Sequence, residues 1–330
     1  YLTKETLPHM KRTGCRRRGV FVPPILLLAL AAAILAAGYF MLRDGGDGRS
    51  GRLSSIPAPG GERPGEYAVT ASGIPCTLTQ LEEGAVYTGD LLLVNNQVLY
   101  HFPEEQPLTS IYEGKTGSYY VRDKEVYLAP TALEALNRML DAFRDQGGSK
   151  TVNVVAGYRT EAFQQHLFDQ SVERNGREHA EEFVAQPGGS EHHTGLVVDF
   201  SIFYEDGTSA EYRGTGEYAW INGNCQDYGW VVRYAKEKEP LTGIGDEPWH
   251  FRYVGVPHAT VMAEEGLCLE EYTDYLKEFP FDGRHLAVDC GGERYEIWYC
   301  AGTAAYLPDS GEYTVSGNNV DGVVVTCKVG

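Results

Sequence analysis

The chain has 330 residues, with 28 Lys and Arg against 46 Asp and Glu and a net charge of −18 at pH 7. That balance argues against nucleic acid as a partner, which calls for a basic surface, and points to a soluble acidic exterior. Seven cysteines are present and none shows a C-x-x-C zinc spacing.

Residues 1–19 carry Lys4, Lys11, Arg12, Arg16, Arg17 and Arg18 against the single acid Glu5, and residues 20–42 follow without a charge. At about 1.5 Å per residue that run spans a bilayer core of about 30 Å as a helix. The flanking cations place its N-terminal side in the cytoplasm. The expectation is a single-pass transmembrane anchor in the cell membrane, with the remainder extracellular. A cleaved signal peptide is the alternative, since Ala36-Ala37-Gly38 offers small residues, although its apolar region would be unusually long. Residues 43–66, rich in Gly, Pro, Ser and charge, read as a flexible linker.

Residues 67–128 read as a β-rich lead-in, with apolar runs at 91–94, 98–102 and 119–121. Thr131 is expected to open a helix, Glu134 completing a capping box and Leu133, Leu136, Met139, Leu140 and Phe143 forming the apolar face. Residues 151–156 alternate as a strand that displays Gly157-Tyr158-Arg159 at its end. Thr160 then caps a helix with Phe163 and Leu167 inward and Gln164 near its start. After the break Pro187-Gly188-Gly189 come a strand over 195–202, a helix over 215–228, a strand over 230–234 and a loop over 235–246. Residues 129–256 form the central domain. Residues 257–330 form a small module with helices at 257–265 and 269–279 and short strands over 285–329, where Asn318-Asn319 and Asp321-Gly322 make turns. The fold class expected is α+β, a short antiparallel sheet with helices.

Cys15 falls on the cytoplasmic side as a free thiol or a lipidation site. The other six could pair in an oxidising compartment, Cys290 with Cys300 or either with Cys327; buried free thiols are the alternative.

Two polar knots carry the chemistry: Ser190-Glu191-His192-His193-Thr194-Gly195-Leu196-Val197-Val198-Asp199 and Glu247-Pro248-Trp249-His250. Catalytic zinc takes three protein ligands from His nitrogens and carboxylate oxygens and leaves a position for water. His192, Asp199 and His250 are the expected ligands of a Zn2+ ion. Glu247, a carboxylate that is not a ligand, is the expected general base. Residues three apart on a strand face opposite sides, so Glu247 and His250 converge only if the backbone turns between them. Adjacent His193 is the fallback ligand, expected to point away if His192 points in. The remaining histidines, among them His101, His166, His179, His258 and His285, are expected to be ordinary hydrogen-bonding side chains. Trp249 is either a wall of the cleft or core packing.

Ser-x-His-x-x-Gly-x-x-x-Asp at 190–199, followed by Glu-x-Trp-His at 247–250 and preceded by Gly157-Tyr158-Arg159-Thr160 with Gln164, resembles the VanY-type D-alanyl-D-alanine carboxypeptidases of the M15 metallopeptidases. The resemblance covers about residues 115–255. It implies zinc on His192, Asp199 and His250, Glu247 as base, Arg159 steadying substrate and oxyanion, and Ser190 beside the substrate. Val197-Val198, where a small residue next to a Val is expected, is a change of packing only. By the same resemblance the chain is a zinc D,D-carboxypeptidase, a metallocarboxypeptidase removing the terminal D-Ala of peptidoglycan stem peptides. The alternatives are a related wall endopeptidase or D,D-dipeptidase, and a catalytically silent zinc-containing wall-binding or sensor protein. A free carboxylate at Glu247 argues against the silent protein, because a structural site gains nothing from it.

Overall fold

The computed structural model describes residues 67–329. The basic segment, anchor and linker expected over residues 1–66 lie outside the described residues, as does Cys15; among the described residues no helix is long and apolar enough to cross a membrane. In chain order the strands are β1 (Tyr67–Val69), β2 (Pro75–Gln80), β3 (Thr109–Ser110), β4 (Tyr120–Val121), β5 (Tyr127–Leu128), β6 (Val152–Ala156), β7 (Val197–Phe203) and β8 (Ser209–Glu211). They continue with β9 (Trp230–Tyr234), β10 (Glu247–Tyr253), β11 (Leu286–Cys290), β12 (Glu293–Ala301), β13 (Ala304–Pro308), β14 (Tyr313–Gly317) and β15 (Gly322–Val329).

The central sheet runs β4-β6-β7-β10-β9, with β8 paired to β7. Its pairings are antiparallel except β4 with β6, so the expected α+β sheet gains a parallel edge. Strand β7 lies in the middle, and Val197 and Val198 are both fully buried. A strand covered on both faces reads as a continuous apolar run, which accounts for two adjacent valines there.

Helix α1 (Pro130–Asp145) lays its expected apolar row on this sheet, against Val198, Phe200, Trp230 and Phe251. Its N-cap, Ala129, lies two residues before the Thr131 cap of the capping-box reading and makes no side-chain bond, and Pro130 stands in the first turn. Proline's fixed φ and missing N–H suit the first helical position, so the helix starts at Pro130 and Thr131 falls inside its first turn instead of capping it. Thr160 does cap helix α2 (Glu161–Asn175), its Oγ1 accepting from Phe163 N at 3.2 Å. That helix turns inward the row Gln164 and Phe168 and leaves Leu167 half-buried on the cleft and Phe163 49% exposed, contrary to the expectation for Phe163. Gln164 Nε2 donates to the carbonyl of Ala185 at 2.8 Å, which fixes this rotation. The helix expected over 215–228 is instead a 3₁₀ turn, a short helix α3 (Ala219–Asn224) and a second 3₁₀ turn, with Gly223 and Asn224 weakening helix continuity.

The apolar runs at 91–94 and 98–102 are irregular, not strands; 91–94 is buried, whereas Leu99 and Phe102 are exposed. Their backbone groups are claimed one at a time by side chains: Arg252 Nη2 donates to the carbonyls of Asp90 and Leu92, Ser316 Oγ accepts from Leu91 N, and Asn319 Nδ2 donates to Leu93 and Leu99 carbonyls. Satisfied in this way, the segment has no need of a strand partner.

The chain beyond 256 builds α4 (Val256–Glu265), α5 (Leu269–Leu276) and a sheet in the order β11-β12-β15-β14. Strand β2 pairs with both β1 and β13, so the first part of the lead-in belongs to this module and not to a separate layer. Glu296 latches it, accepting from Thr70 Oγ1 at 3.0 Å and from the backbone of Ala71 and Ser72. The proposed disulfides are not formed: Cys76, Cys225, Cys268, Cys290 and Cys327 carry free thiols. Register explains this, since Cys290 opposes Glu293, Cys300 opposes Val323, and Cys327 lies between Glu296 and Tyr313.

Candidate metal centre and active site

Strand register brings two ligands together before any side chain is considered. His250 of β10 and Asp199 of β7 are direct cross-strand partners. Opposed residues of an antiparallel pair project to the same face with Cβ atoms about 5 Å apart. His192 arrives from a 3₁₀ turn (Glu191–Thr194) that ends at Gly195, whose φ of 69° a side chain would strain and whose Cβ would collide with Leu108.

The Gly157-Tyr158-Arg159 segment docks on the same turn. A Cβ on Gly157 would lie 2.3 Å from the carbonyl oxygen of Tyr127, so only glycine allows this approach. His192 Nδ1 donates to the Gly157 carbonyl at 2.7 Å, and Arg159 N donates to the His192 carbonyl at 3.1 Å. The first bond fixes the tautomer that leaves His192 Nε2 as a lone-pair donor facing Asp199 Oδ2 at 3.2 Å. His250 Nδ1 faces Asp199 Oδ1 at 3.2 Å. The three ligand atoms all lie within 4.8 Å of one another.

His192, Asp199 and His250 are nearly fully buried. Burial, reinforced by Arg159, pushes His192 down to about 4 and keeps it neutral. Burial also opposes charge on His250, but Asp199, Glu191 and Glu247 outweigh it and raise its pKa to about 9. The carboxylates therefore call for a cation at this point, and two imidazole nitrogens with one carboxylate are the donor set of a catalytic zinc site. Oδ1 of Asp199 and Nε2 of His250, both buried, have no hydrogen-bond partner.

Glu247 Oε2 lies 3.4 Å from His250 Nδ1. The register of β10 against β9 shifts between Glu247 and Phe251, and this irregularity is the backbone turn that the i, i+3 spacing required. Burial raises the Glu247 carboxyl above its usual range, with Asp199 adding to the effect and His250 opposing it. Arg159 Nη2 pairs with Asp199 Oδ2 at 2.9 Å. All eight expected site residues, including Ser190, Gln164 and Trp249, line one cleft of about 380 Å³. Trp249 also packs against the main core.

His193 is excluded from the centre. Its Nδ1 donates to the Arg159 carbonyl at 2.7 Å and its Nε2 accepts from Gly188 N at 3.2 Å, which uses both ring nitrogens. Sequence reasoning passed over Glu191, fully buried beside a ligand. Its Oε1 accepts from Arg233 Nε and Arg252 Nη1, each at 2.9 Å, and the charge of these guanidiniums overcomes burial and holds the carboxyl far below its usual range. Arg233 in turn makes a two-pronged pair with Glu270. An acid inside the first knot, and an arginine two residues after His250 on the same strand, were the available signals.

A family model described as D-alanyl-D-alanine carboxypeptidase, VanY, matches residues 125–256. A D-alanyl-D-alanine carboxypeptidase of Enterococcus faecium is 34% identical over 255 residues, covering 74% of this chain and 77% of the relative. The chain belongs to the VanY family of D-alanyl-D-alanine carboxypeptidases. It is accordingly a peptidase. The bifunctional D-Ala-D-Ala dipeptidase and carboxypeptidase VanXYC of Enterococcus gallinarum is 37% identical over 159 residues, covering 47% of this chain and 82% of that protein. A crystal structure of the D,D-dipeptidase VanXYg with a D-Ala-D-Ala phosphinate analogue superposes with a TM-score of 0.69 at 31% identity, covering 77% of this chain and 99% of that one. The mixed α+β fold is thus shared well beyond the matched motif region.

Proposed function

We propose that this VanY-family peptidase is zinc-dependent and removes the terminal D-Ala from peptidoglycan stem peptides. The observation that carries the metal assignment is the convergence of His192 Nε2, His250 Nδ1 and Asp199 beside a buried carboxylate that is not a ligand. His192, Asp199 and His250 would hold the ion. Zinc supplies a Lewis acid there, polarising the scissile carbonyl and making water a better nucleophile.

The chain's own residues carry the protons and the orientation. Glu247 takes a proton from the attacking water as its oxygen bonds to the carbonyl carbon. It returns that proton to the amine nitrogen as the C–N bond breaks and D-Ala leaves. Arg159, held in place by Asp199, presents its guanidinium to the developing oxyanion. Ser190 helps to hold the terminal carboxylate, while Gln164 and Trp249 form walls of the cleft.

A dipeptidase reading is favoured by the names of two relatives. Against it, the cleft extends along α2 as far as Asn175, which leaves room for a substrate longer than two residues. D-Ala release from a stem pentapeptide ending in D-Ala-D-Ala, compared with hydrolysis of the free dipeptide D-Ala-D-Ala, separates the readings. The pentapeptide is expected to be the better substrate; hydrolysis of the free dipeptide with the pentapeptide left intact would overturn the carboxypeptidase assignment.

The uncharged run 20–42 behind a basic segment supports membrane anchoring with the catalytic domain outside, where this substrate lies. A tether over 43–66 would raise the effective concentration of enzyme next to the wall.

A further inference from the structure

Helix α2 forms one wall of the cleft. Gln164, Leu167, Gln170, Ser171, Arg174 and Asn175 all line it. They fall at the i, i+3, i+6, i+7, i+10 and i+11 positions of one helix, a continuous stripe that runs from beside the metal ligands to the last turn. Its members are polar apart from Leu167. Gln164, at the inner end, is buried and tied to Ala185. Arg174, at the outer end, makes no ion pair among those found in the described residues. The other arginine of the cleft, Arg159, is already engaged by Asp199.

Ten residues of helix separate Gln164 from Arg174, about 15 Å at 1.5 Å per residue. A helical side chain leans toward the helix N-terminus, so the Arg174 guanidinium reaches back toward the metal end. An extended peptide advances roughly 3.3–3.6 Å per residue. The guanidinium therefore meets a substrate roughly two to four residues before the scissile bond. A planar, permanently charged fork is matched by a carboxylate.

We infer that Arg174 is a specificity-determining residue that binds a free carboxylate carried by the stem peptide on the acyl side, roughly two to four residues before the bond that is cut. The inference rests on the peptidase reading above and adds a second anchor point to it. An enzyme so equipped distinguishes a stem whose acidic residue is free from one in which that carboxyl is amidated.

The test compares two synthetic pentapeptides ending in D-Ala-D-Ala that differ only in a γ-linked glutamate at the second position, one with a free α-carboxylate and one with the carboxamide. A short acyl-D-Ala-D-Ala substrate, lacking that residue, serves as reference. The full-length enzyme is expected to favour the free carboxylate by about 2- to 5-fold in kcat/KM, the scale of an exposed charge pair. Arg174→Gln is expected to abolish that preference and leave the short substrate unaffected. Calorimetric binding of the two product tetrapeptides should show the same difference and the same loss. Equal handling of acid and amide by the unmodified enzyme, or a preference that survives in Arg174→Gln, would overturn the inference. If none of the three substrates releases D-Ala with the unmodified enzyme, the carboxypeptidase reading fails instead, and the binding comparison still decides the role of Arg174.

Discussion

Glu191 Oε2 faces Nε2 of His250 at 3.6 Å, while Nδ1 of the same ring faces Asp199 Oδ1 at 3.2 Å. The imidazole therefore lies between two carboxylates, one toward the centre and one behind it. Carboxylates behind a ligating histidine fix its orientation and raise its basicity. Here the rear carboxylate is itself fixed, because Arg233 and Arg252 both claim its Oε1.

Glu191→Gln should lower metal affinity about 10- to 100-fold, the usual scale for such outer partners. Removing the charge also leaves the buried Arg252 guanidinium without its carboxylate and Arg233 with Glu270 alone, with a loss of about 3–5 kcal/mol of stability. Competition for zinc against a chromogenic chelator and thermal unfolding of the same variant measure the two effects separately. Unchanged zinc affinity would show that Glu191 serves the fold alone.

The two adjacent histidines should behave differently. His192→Ala is expected to abolish stoichiometric zinc. His193→Ala is expected to keep it and lose stability, since Arg159 O and Gly188 N each lose a bond. Metal content by elemental analysis decides between them, and normal zinc in His192→Ala would mean that the wrong imidazole has been assigned.

His258 ties helices α4 and α5 to the C-terminal sheet, with Nδ1 at 2.7 Å from Tyr272 Oη and Nε2 at 2.9 Å from Thr326 Oγ1. Burial pushes it down to about 3, against 6.5 for a free imidazole. Between these values the unfolded chain binds a proton that the folded chain refuses. The contribution of His258 is thus fully present above pH 6.5 and is lost as pH falls toward 3, amounting to a few kcal/mol at most. Denaturant unfolding of the unmodified chain and of His258→Gln at pH 7 and pH 5 should show a smaller drop for the variant. An equal drop would remove His258 as the source.

Much of the centre was legible in the sequence because metal ligation demands particular residue types, and their identities survive whatever the local backbone does. The same holds for Glu247, where even the need for a backbone irregularity followed from the three-residue spacing. What escaped depends on long-range contacts. The irregular path of 91–102 is decided by Arg252, Ser316 and Asn319, side chains from distant parts of the chain. The pairing of β2 with β13 joins residues more than two hundred positions apart, and no local pattern announces it. The rotation of α2 was misjudged because its apolar residues are sparse, so a single hydrogen bond from Gln164 outweighs the hydrophobic signal. Glu191 was missed for a related reason: an acid next to a histidine becomes informative only once Arg233 and Arg252 are seen to enclose it.

The most direct test measures zinc content and D-Ala release together, on a stem pentapeptide, for the unmodified chain and Glu247→Gln. The unmodified chain should bind one zinc per chain, release D-Ala, lose activity to a chelator and regain it with added zinc. Glu247→Gln should retain the zinc and lose about 10²- to 10⁴-fold in kcat, the range attributed to a positioned acid–base group. Undiminished release of D-Ala by a zinc-loaded Glu247→Gln, or release that ignores the chelator, would contradict the account.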